Sequence, residues 1–309
     1  PNGRRKKTKG MINEFEKYMR YELNYSAHTV LSYISDLKLF ESWLAASGQC
    51  ADTQSAGEAQ IRLWIINRSS SGDGVTTIRR RLQSLRAYYR FLMKRGLLAS
   101  NPAREIETAK APKKLPSYVR EQNMDKLLDE AIDEDDFTAV RDRLIVMLFY
   151  TTGIRRAELI SLEDANVDTA SMELKVHGKR NKDRVVPFGP ELKEWIDRYR
   201  RLRAKTIGLS HSDTFFTRCN GEALYPSLVY KVVHDSLLEA GGCSKQSPHT
   251  LRHTFASAML NGGANLNSVK ELLGHESLAA TQIYTHLAFG ELKSNYEQAH
   301  PRALKKEVL

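Results

Sequence analysis

The chain has 309 residues, room for about two domains, and its 41% hydrophobic content is enough for packed cores, which excludes a disordered chain. Its 47 basic against 37 acidic residues leave a net charge of +10 and point to an anionic partner. Five basic residues sit in the first ten, PNGRRKKTKG, which read as an expression scar or basic arm; removing them leaves 42 against 37, an excess of +5, so what counts is where charge collects. Cys50, Cys219 and Cys243 are odd in number and show no CxxC spacing, as expected of a reduced protein with neither disulfide frame nor structural zinc. The longest apolar run, 144–149, falls far short of the ~20 residues of a membrane span, and no signal-peptide pattern follows Met11. A soluble, cytoplasmic chain with no membrane partner is the expectation.

From Ser26 to Leu44, apolar residues at Val30, Tyr33, Ile34, Leu37, Phe40 and Leu44 have helical spacing behind a Ser26 cap. Ile61–Ile66 has similar character, and SSSGDG at 69–74 separates it from a third helix that starts near Thr76. Charge collects on this third helix. Between Asp73 and Glu105 no acidic residue occurs, while Arg79, Arg80, Arg81, Arg86, Arg90, Lys94, Arg95 and Arg104 do, and Leu82, Leu85, Tyr89 and Leu92 supply a buried side. A charge run is usually a solvated face. A one-signed run repels itself at i, i+4, which favours a phosphate backbone as its partner and makes Arg79 to Arg95 candidate DNA contacts. Asn101-Pro102 ends the segment, and residues 108–118, with Pro112 and Pro116, read as a linker. The expected organisation is a basic arm at 1–10, an all-helical domain at 11–107, the linker, a second domain at 119–289 and a tail at 290–309.

The second domain opens with helices near 121–132 and 138–150, turns at Gly153 and runs through a short helix to Leu162. Met172–His177 then alternates, GKRNKD at 178–183 forms a turn and Arg184–Phe188 resumes strand character, which is a β-hairpin signature. Pro187 marks an edge or an end. Ser247-Pro248 reads as N-cap and first turn of a helix stopped at Asn261-Gly-Gly263. Leu251, Phe255, Ala258 and Met259 form one stripe of it, with His249, Arg252 and His253 on another. Two histidines four apart can bind zinc, but the metalloprotease pattern wants Glu where Thr250 stands, and Arg252 is a poor neighbour for a dication. Leu266–Leu273 is another helix stopped by Gly274, leaving His275 in the turn; Ser277 caps a further helix with Ala280, Ile283 and Leu287 on its apolar side and Tyr284 beside them.

Taken singly, these residues are ordinary: Tyr284 a core or interface tyrosine, His275 a capping residue, Arg155 the partner of Glu158. Two arginines, a lysine, two histidines and a tyrosine are nevertheless the parts that metal-free transfer at a nucleic-acid phosphodiester requires. Guanidinium groups neutralise the non-bridging oxygens as charge grows, histidines move protons near neutral pH, and a tyrosine hydroxyl of pKa ~10 attacks once a field or base assists it.

The ordered segments Thr152-Gly-Ile-Arg-Arg-Ala-Glu-Leu159, Gly178-Lys179 ahead of Arg184-Val-Val-Pro187, His249-Thr-Leu-Arg-His253, Leu272-Leu-Gly-His275 and Thr281-Gln-Ile-Tyr-Thr-His286 resemble the tyrosine site-specific recombinases, the lambda-type integrases. Ser26-Ala-His-Thr29, Tyr33, Asp36-Leu37 and Phe40 resemble that family's N-terminal core-binding domain, and Ala299-His-Pro-Arg-Ala303 its Xer branch. The resemblance spans almost the whole chain. It implies a mainly α fold: a helical N-terminal core-binding domain plus a mostly helical catalytic domain with a small antiparallel β-sheet, the two closing as a clamp on duplex DNA. It implies Arg155 and Arg252 as phosphate-binding arginines, Lys179 as the hairpin lysine, His249 and His275 as assisting histidines and Tyr284 as nucleophile. Glu158 and His253 are supporting residues. Where many relatives show Gly-Lys-Gly, this chain has Gly178-Lys179-Arg180, and Arg180 adds a candidate phosphate contact.

The implied activity is strand cleavage and rejoining through a 3′-phosphotyrosine and a Holliday junction, with neither ATP nor metal as cofactor. The implied partners are double-stranded DNA with paired recombination sites and the other protomers of a homo- or hetero-tetramer, a second recombinase being the partner in the hetero case. The role is Xer-like chromosome dimer resolution or movement of a mobile element, and the tail, with Leu292 and Tyr296 at helical spacing, is expected to pack on a neighbouring protomer. The rival readings are a non-cleaving DNA-binding accessory protein of the same fold, a zinc hydrolase using His249, His253 and His275, and a relaxing topoisomerase acting as a monomer.

Overall fold

The computed structural model describes residues 2–48, 52–109, 117–178, 183–208, 212–241, 243–274 and 295–303, with side chains from residue 10 onward. These residues are mainly helical and contain one three-stranded antiparallel sheet, the expected fold class. The chain divides into two compact units, Pro1–Lys114 and Leu115–Leu309.

In the first unit, α1 (Asn2–Lys17) runs on through a π-helical turn at Tyr18–Glu22 and is followed by α2 (Ala27–Ser47), α3 (Glu58–Ser70) and α4 (Val75–Lys94). Residues 2–10, read above as an arm, are the first part of α1. α2 begins where the Ser26 hydroxyl accepts from the Thr29 N–H at 3.3 Å, which satisfies one of the orphan donors of a helix start. Phe15, Met19, Leu37, Phe40, Leu44, Trp64, Leu85 and Tyr88 meet in one core.

The third helix is placed as its spacing requires, but its charge is compensated in a way the local sequence hides. Asp36, only 1% exposed on α2, accepts from Arg80, from Arg81 Nη1 at 2.9 Å and from Ser84 Oγ at 2.7 Å. Arg81 Nε also donates to Asp73 at 2.9 Å, and Arg86 donates to the carbonyls of Ala103 (3.0 Å) and Ile106 (2.7 Å). Lys94 and Arg95 pair with Glu22. The one-signed run is therefore corrected: a buried carboxylate from another helix neutralises its middle, and Arg80, Arg81 and Arg86 hold the unit together. Arg79 and Arg90 are exposed without an ion pair among the described residues.

The second unit is built around α6 (Phe137–Thr152), whose residues 144–150 are all buried; a helix apolar all round belongs at the centre of a core. It is preceded by α5 (Glu121–Asp129) and followed by the short α7 (Arg156–Ile160) and the sheet β1 (Val167–Asp168), β2 (Glu173–His177) and β3 (Asp183–Pro187), in spatial order β1-β2-β3. β2 and β3 pair antiparallel with Glu173 opposite Pro187 and His177 opposite Asp183, so Pro187 ends an edge strand. The helices α8 (Pro190–Ile207), α9 (Pro226–Ala240) and α10 (Pro248–Asn261) pack on α6, and α11 (Leu266–Leu273) packs on α10 and β3.

Residues 295–303 are the described part of the C-terminal tail. The described part of the tail sits on its own unit: Tyr296, His300 and Arg302 are buried, with Phe255, Met259 and Leu272 in the same cluster as Tyr296. His300 Nε2 donates to the Tyr150 carbonyl at 3.1 Å, and Arg302 donates to Asp125, Asp129 and Glu191. Gly262 lets this segment approach, since a Cβ there would stand 2.1 Å from the Ala299 carbonyl oxygen.

Candidate active site

Gly153 ends α6 in a left-handed conformation (φ 61°) and leads into Ile154 and Arg155. A Cβ at this position would stand 2.4 Å from the Phe255 ring and 2.8 Å from Leu273, so glycine is required for both backbone angle and space. Arg155 occupies the N-cap of α7. Its N–H donates to Glu158 Oε2 at 2.7 Å, its Nη1 to Glu158 Oε1 at 2.8 Å and its Nη2 to the Gly274 carbonyl at 2.8 Å.

On α10, the Ser247 hydroxyl accepts from the Thr250 N–H and Pro248 follows it, as the sequence predicts. The helix does not present His249, Arg252 and His253 alike. His249 and His253 are exposed, whereas Arg252 is only 7% exposed and donates through Nη1 to the Gly153 carbonyl at 2.6 Å and through Nη2 to the Leu273 carbonyl. Helical geometry explains the division: positions four apart lie 40° apart, and the position between them falls back toward the core. Burial first, then the nearby Arg155 charge, lowers the Arg252 guanidinium to about 10, still protonated at neutral pH. Partial desolvation, then Arg252 and His253, hold the His249 imidazole below its ordinary value.

Arg184, on β3, was quoted above only as part of a motif, and the structure places it in the site. Its Nη1 and Nη2 donate to the two Glu158 oxygens at 2.8 and 2.9 Å, and its Nε to the Leu272 carbonyl at 2.7 Å. The three last carbonyls at the end of α11, those of Leu272, Leu273 and Gly274, thus accept from Arg184, Arg252 and Arg155 in turn. A helix C-terminus has unpaired carbonyls and partial negative charge, and here guanidinium groups satisfy both needs. Glu158 is 4% exposed; burial alone would push its carboxyl up, but the bonds and charge of Arg184, then those of Arg155, hold it at about 2. Three guanidinium groups against one carboxylate leave a concentrated positive site, and Arg155, 33% exposed at its side chain, opens it to solvent. Such a site suits a phosphate group.

Sequence reasoning had a faint signal for Arg184, an arginine at an alternating strand position beside a hairpin, but nothing local names Glu158 as its partner 26 residues away. Lys179, Arg180, His275 and Tyr284 lie outside the described residues. Among the described residues no group of three His, Cys, Asp or Glu is disposed to hold a metal, and no helix is long and apolar enough to cross a membrane.

Residues 117–291 match the phage integrase family and residues 12–96 match its N-terminal SAM-like domain. The chain is 35% identical over 300 residues to the tyrosine recombinase XerC of Mycobacterium bovis (strain BCG / Pasteur 1173P2), covering 95% of this chain and 99% of that one. Among solved structures it is similar to the XerH site-specific recombinase bound to palindromic difH substrate in a post-cleavage complex (TM-score 0.68, 20% identity, 93% and 84% of the two chains). It is also similar to a lambda integrase tetramer bound to a Holliday junction (TM-score 0.65, 17% identity, 90% and 80%).

Proposed function

Because the chain belongs to the phage integrase family and is a tyrosine recombinase that cleaves and rejoins DNA, we propose that the arginine site on α7, α10 and β3 binds the scissile phosphate. The observation that supports this is the cluster itself: three guanidinium groups, one of them deeply buried, with a single carboxylate between them. A buried excess of positive charge is costly unless an anion completes it, and a pentavalent phosphorane, with more negative charge than the ground-state diester, is held more tightly.

In the reaction, Arg155 and Arg252 take the non-bridging oxygens. The Tyr284 oxygen attacks phosphorus and loses its proton toward a neutral histidine, His249 or His275. The bond to the 5′ oxygen breaks, Lys179 protonates that oxygen, and a 3′-phosphotyrosine remains. Attack by a 5′ hydroxyl from a partner strand runs the same steps in reverse, so bond energy is conserved. Exchange between two duplexes takes four protomers on paired sites. The proposed role is Xer-like, in keeping with likeness to XerC over nearly the full length. Arg79 and Arg90 serve as DNA-backbone contacts of the first unit, and Arg180 serves as an added phosphate contact on the hairpin.

Covalent trapping tests this reading. Wild type and Tyr284→Phe are incubated with sheared DNA of the source organism, with and without a chelator, stopped with detergent, and the attached DNA is sequenced. The expected result is a chelator-insensitive adduct at a defined sequence, absent from the variant. A wild-type protein that leaves no adduct, or an adduct that persists in Tyr284→Phe, overturns it.

A further inference from the structure

Arg184 touches two separate parts of the site and has no part in the reaction written above. Its guanidinium grips both oxygens of Glu158, and Arg155 uses the same two: Oε1 receives Arg155 Nη1 and Arg184 Nη1, and Oε2 receives the Arg155 N–H and Arg184 Nη2. The third donor, Nε, takes the Leu272 carbonyl, two residues before the carbonyl that receives Arg155 Nη2. The fit is close, because a Cβ on Gly274 would stand 3.2 Å from Arg184 Nη1. The Arg184 side chain is 13% exposed and that of Glu158 3%.

We propose that Arg184 is a positioning residue: through Glu158 it orients Arg155, and through the Leu272 carbonyl it fixes the end of α11 in register with the arginine it orients. With Arg184 in place the Glu158 carboxylate has one rotamer, since both oxygens are claimed from two sides. Without it, the carboxylate keeps only Arg155 as an ionic partner and can turn about its last bond, taking Arg155 with it. The planar fork is what does this. A lysine at the same position brings the charge but a single point of contact, which cannot hold two carboxylate oxygens and a carbonyl together.

This inference rests on the recombinase reading, and the test keeps the two apart. The probe is the duplex recovered by wild-type trapping, used with the full-length protein in single-turnover adduct formation at a temperature well below every variant's melting point. Wild type, Arg184→Gln, Arg184→Lys, Glu158→Gln and the double variant Glu158→Gln/Arg184→Gln are compared. Misplacement of a phosphate-binding group by about an ångström costs up to ~100-fold, so Arg184→Gln is expected to lower the rate constant roughly 10- to 100-fold. The half-saturating DNA concentration is expected to stay within about twofold, as for a group acting at the transition state. Arg184→Lys is expected to remain impaired. The double variant is expected to be no slower than the worse single, because both substitutions break one linkage. A merely structural role would not produce this coupling. Arg184→Gln at the wild-type rate, full rescue by lysine, or losses that multiply in the double variant overturn the proposal while wild-type activity stands; absence of any wild-type adduct instead overturns the recombinase reading and this inference with it.

Discussion

Replacing Gly153 with alanine tests how the arginine site is held, and two neighbouring glycines separate the causes. At Gly263 the backbone is also left-handed (φ 89°), but an added Cβ meets nothing within 4 Å. At Gly262 the backbone is ordinary (φ −75°), and the Cβ would meet the Ala299 carbonyl at 2.1 Å. Gly153 combines both conditions, with φ 61° and Phe255 and Leu273 inside 3 Å. A left-handed non-glycine residue costs about 1–2 kcal/mol, partly offset by lost freedom of the unfolded chain, and overpacking costs about 1–3 kcal/mol. Gly263→Ala is therefore expected to lose about 1 kcal/mol and Gly153→Ala roughly 2–4 kcal/mol, measured by urea unfolding at pH 7 through helical ellipticity. Gly153→Ala is also expected to lower adduct formation, since its carbonyl receives Arg252 Nη1 at 2.6 Å. If Gly153→Ala costs no more than Gly263→Ala, Phe255 and Leu273 do not close on the turn and the packing argument fails.

Three further outcomes follow from the same structure. Burial lowers the His300 imidazole to about 4 from 6.5, so its contribution is complete above pH 6.5 and is lost as pH falls toward 4; at about 1.4 kcal/mol per tenfold change in proton affinity, urea unfolding should show a loss of roughly 3 kcal/mol across that window, which His300→Gln abolishes. Arg302→Ala is expected to cost about 2 kcal/mol, less than a fully buried pair because its three acids keep some water, and limited proteolysis should then cut near residue 300. Asp36→Asn leaves Arg80 and Arg81 without their buried counter-charge and is expected to destabilise the first unit by roughly 3 kcal/mol; a loss under 1 kcal/mol by thermal unfolding would show that Asp36 is not the anchor of α4.

Local chemistry was enough for the elements whose signals are local. Ser26 and Ser247 mark helix starts because a side-chain oxygen reaches an N–H three residues on. Gly153 and Gly274 mark ends because each adopts a left-handed angle, and the alternation of Met172–His177 and Arg184–Phe188 announces a hairpin because side chains of a strand change face at every step. The order of the motifs likewise points to the family without any coordinates. The helices Pro190–Ile207 and Pro226–Ala240 carry a local signal of the same kind, each opening with a proline in its first turn.

Partnerships between distant residues were decided only by tertiary structure. No periodicity shows that Asp36 neutralises arginines 44 and 45 positions away, or that Arg184 and Arg155 share one carboxylate. Arg252 looks like a surface arginine beside two histidines, yet it is buried because the ends of α6 and α11 bring carbonyls to its guanidinium. Tyr296, Ala299 and Ala303, in the described part of the tail, share a buried cluster with Phe255, Met259 and Leu272, which no local pattern announces. Sequence determines which faces of each element are apolar and where each stops, since those depend on neighbours within a few residues. Which charge meets which depends on how the faces pack, and packing alone brings residues a hundred positions apart within hydrogen-bonding distance.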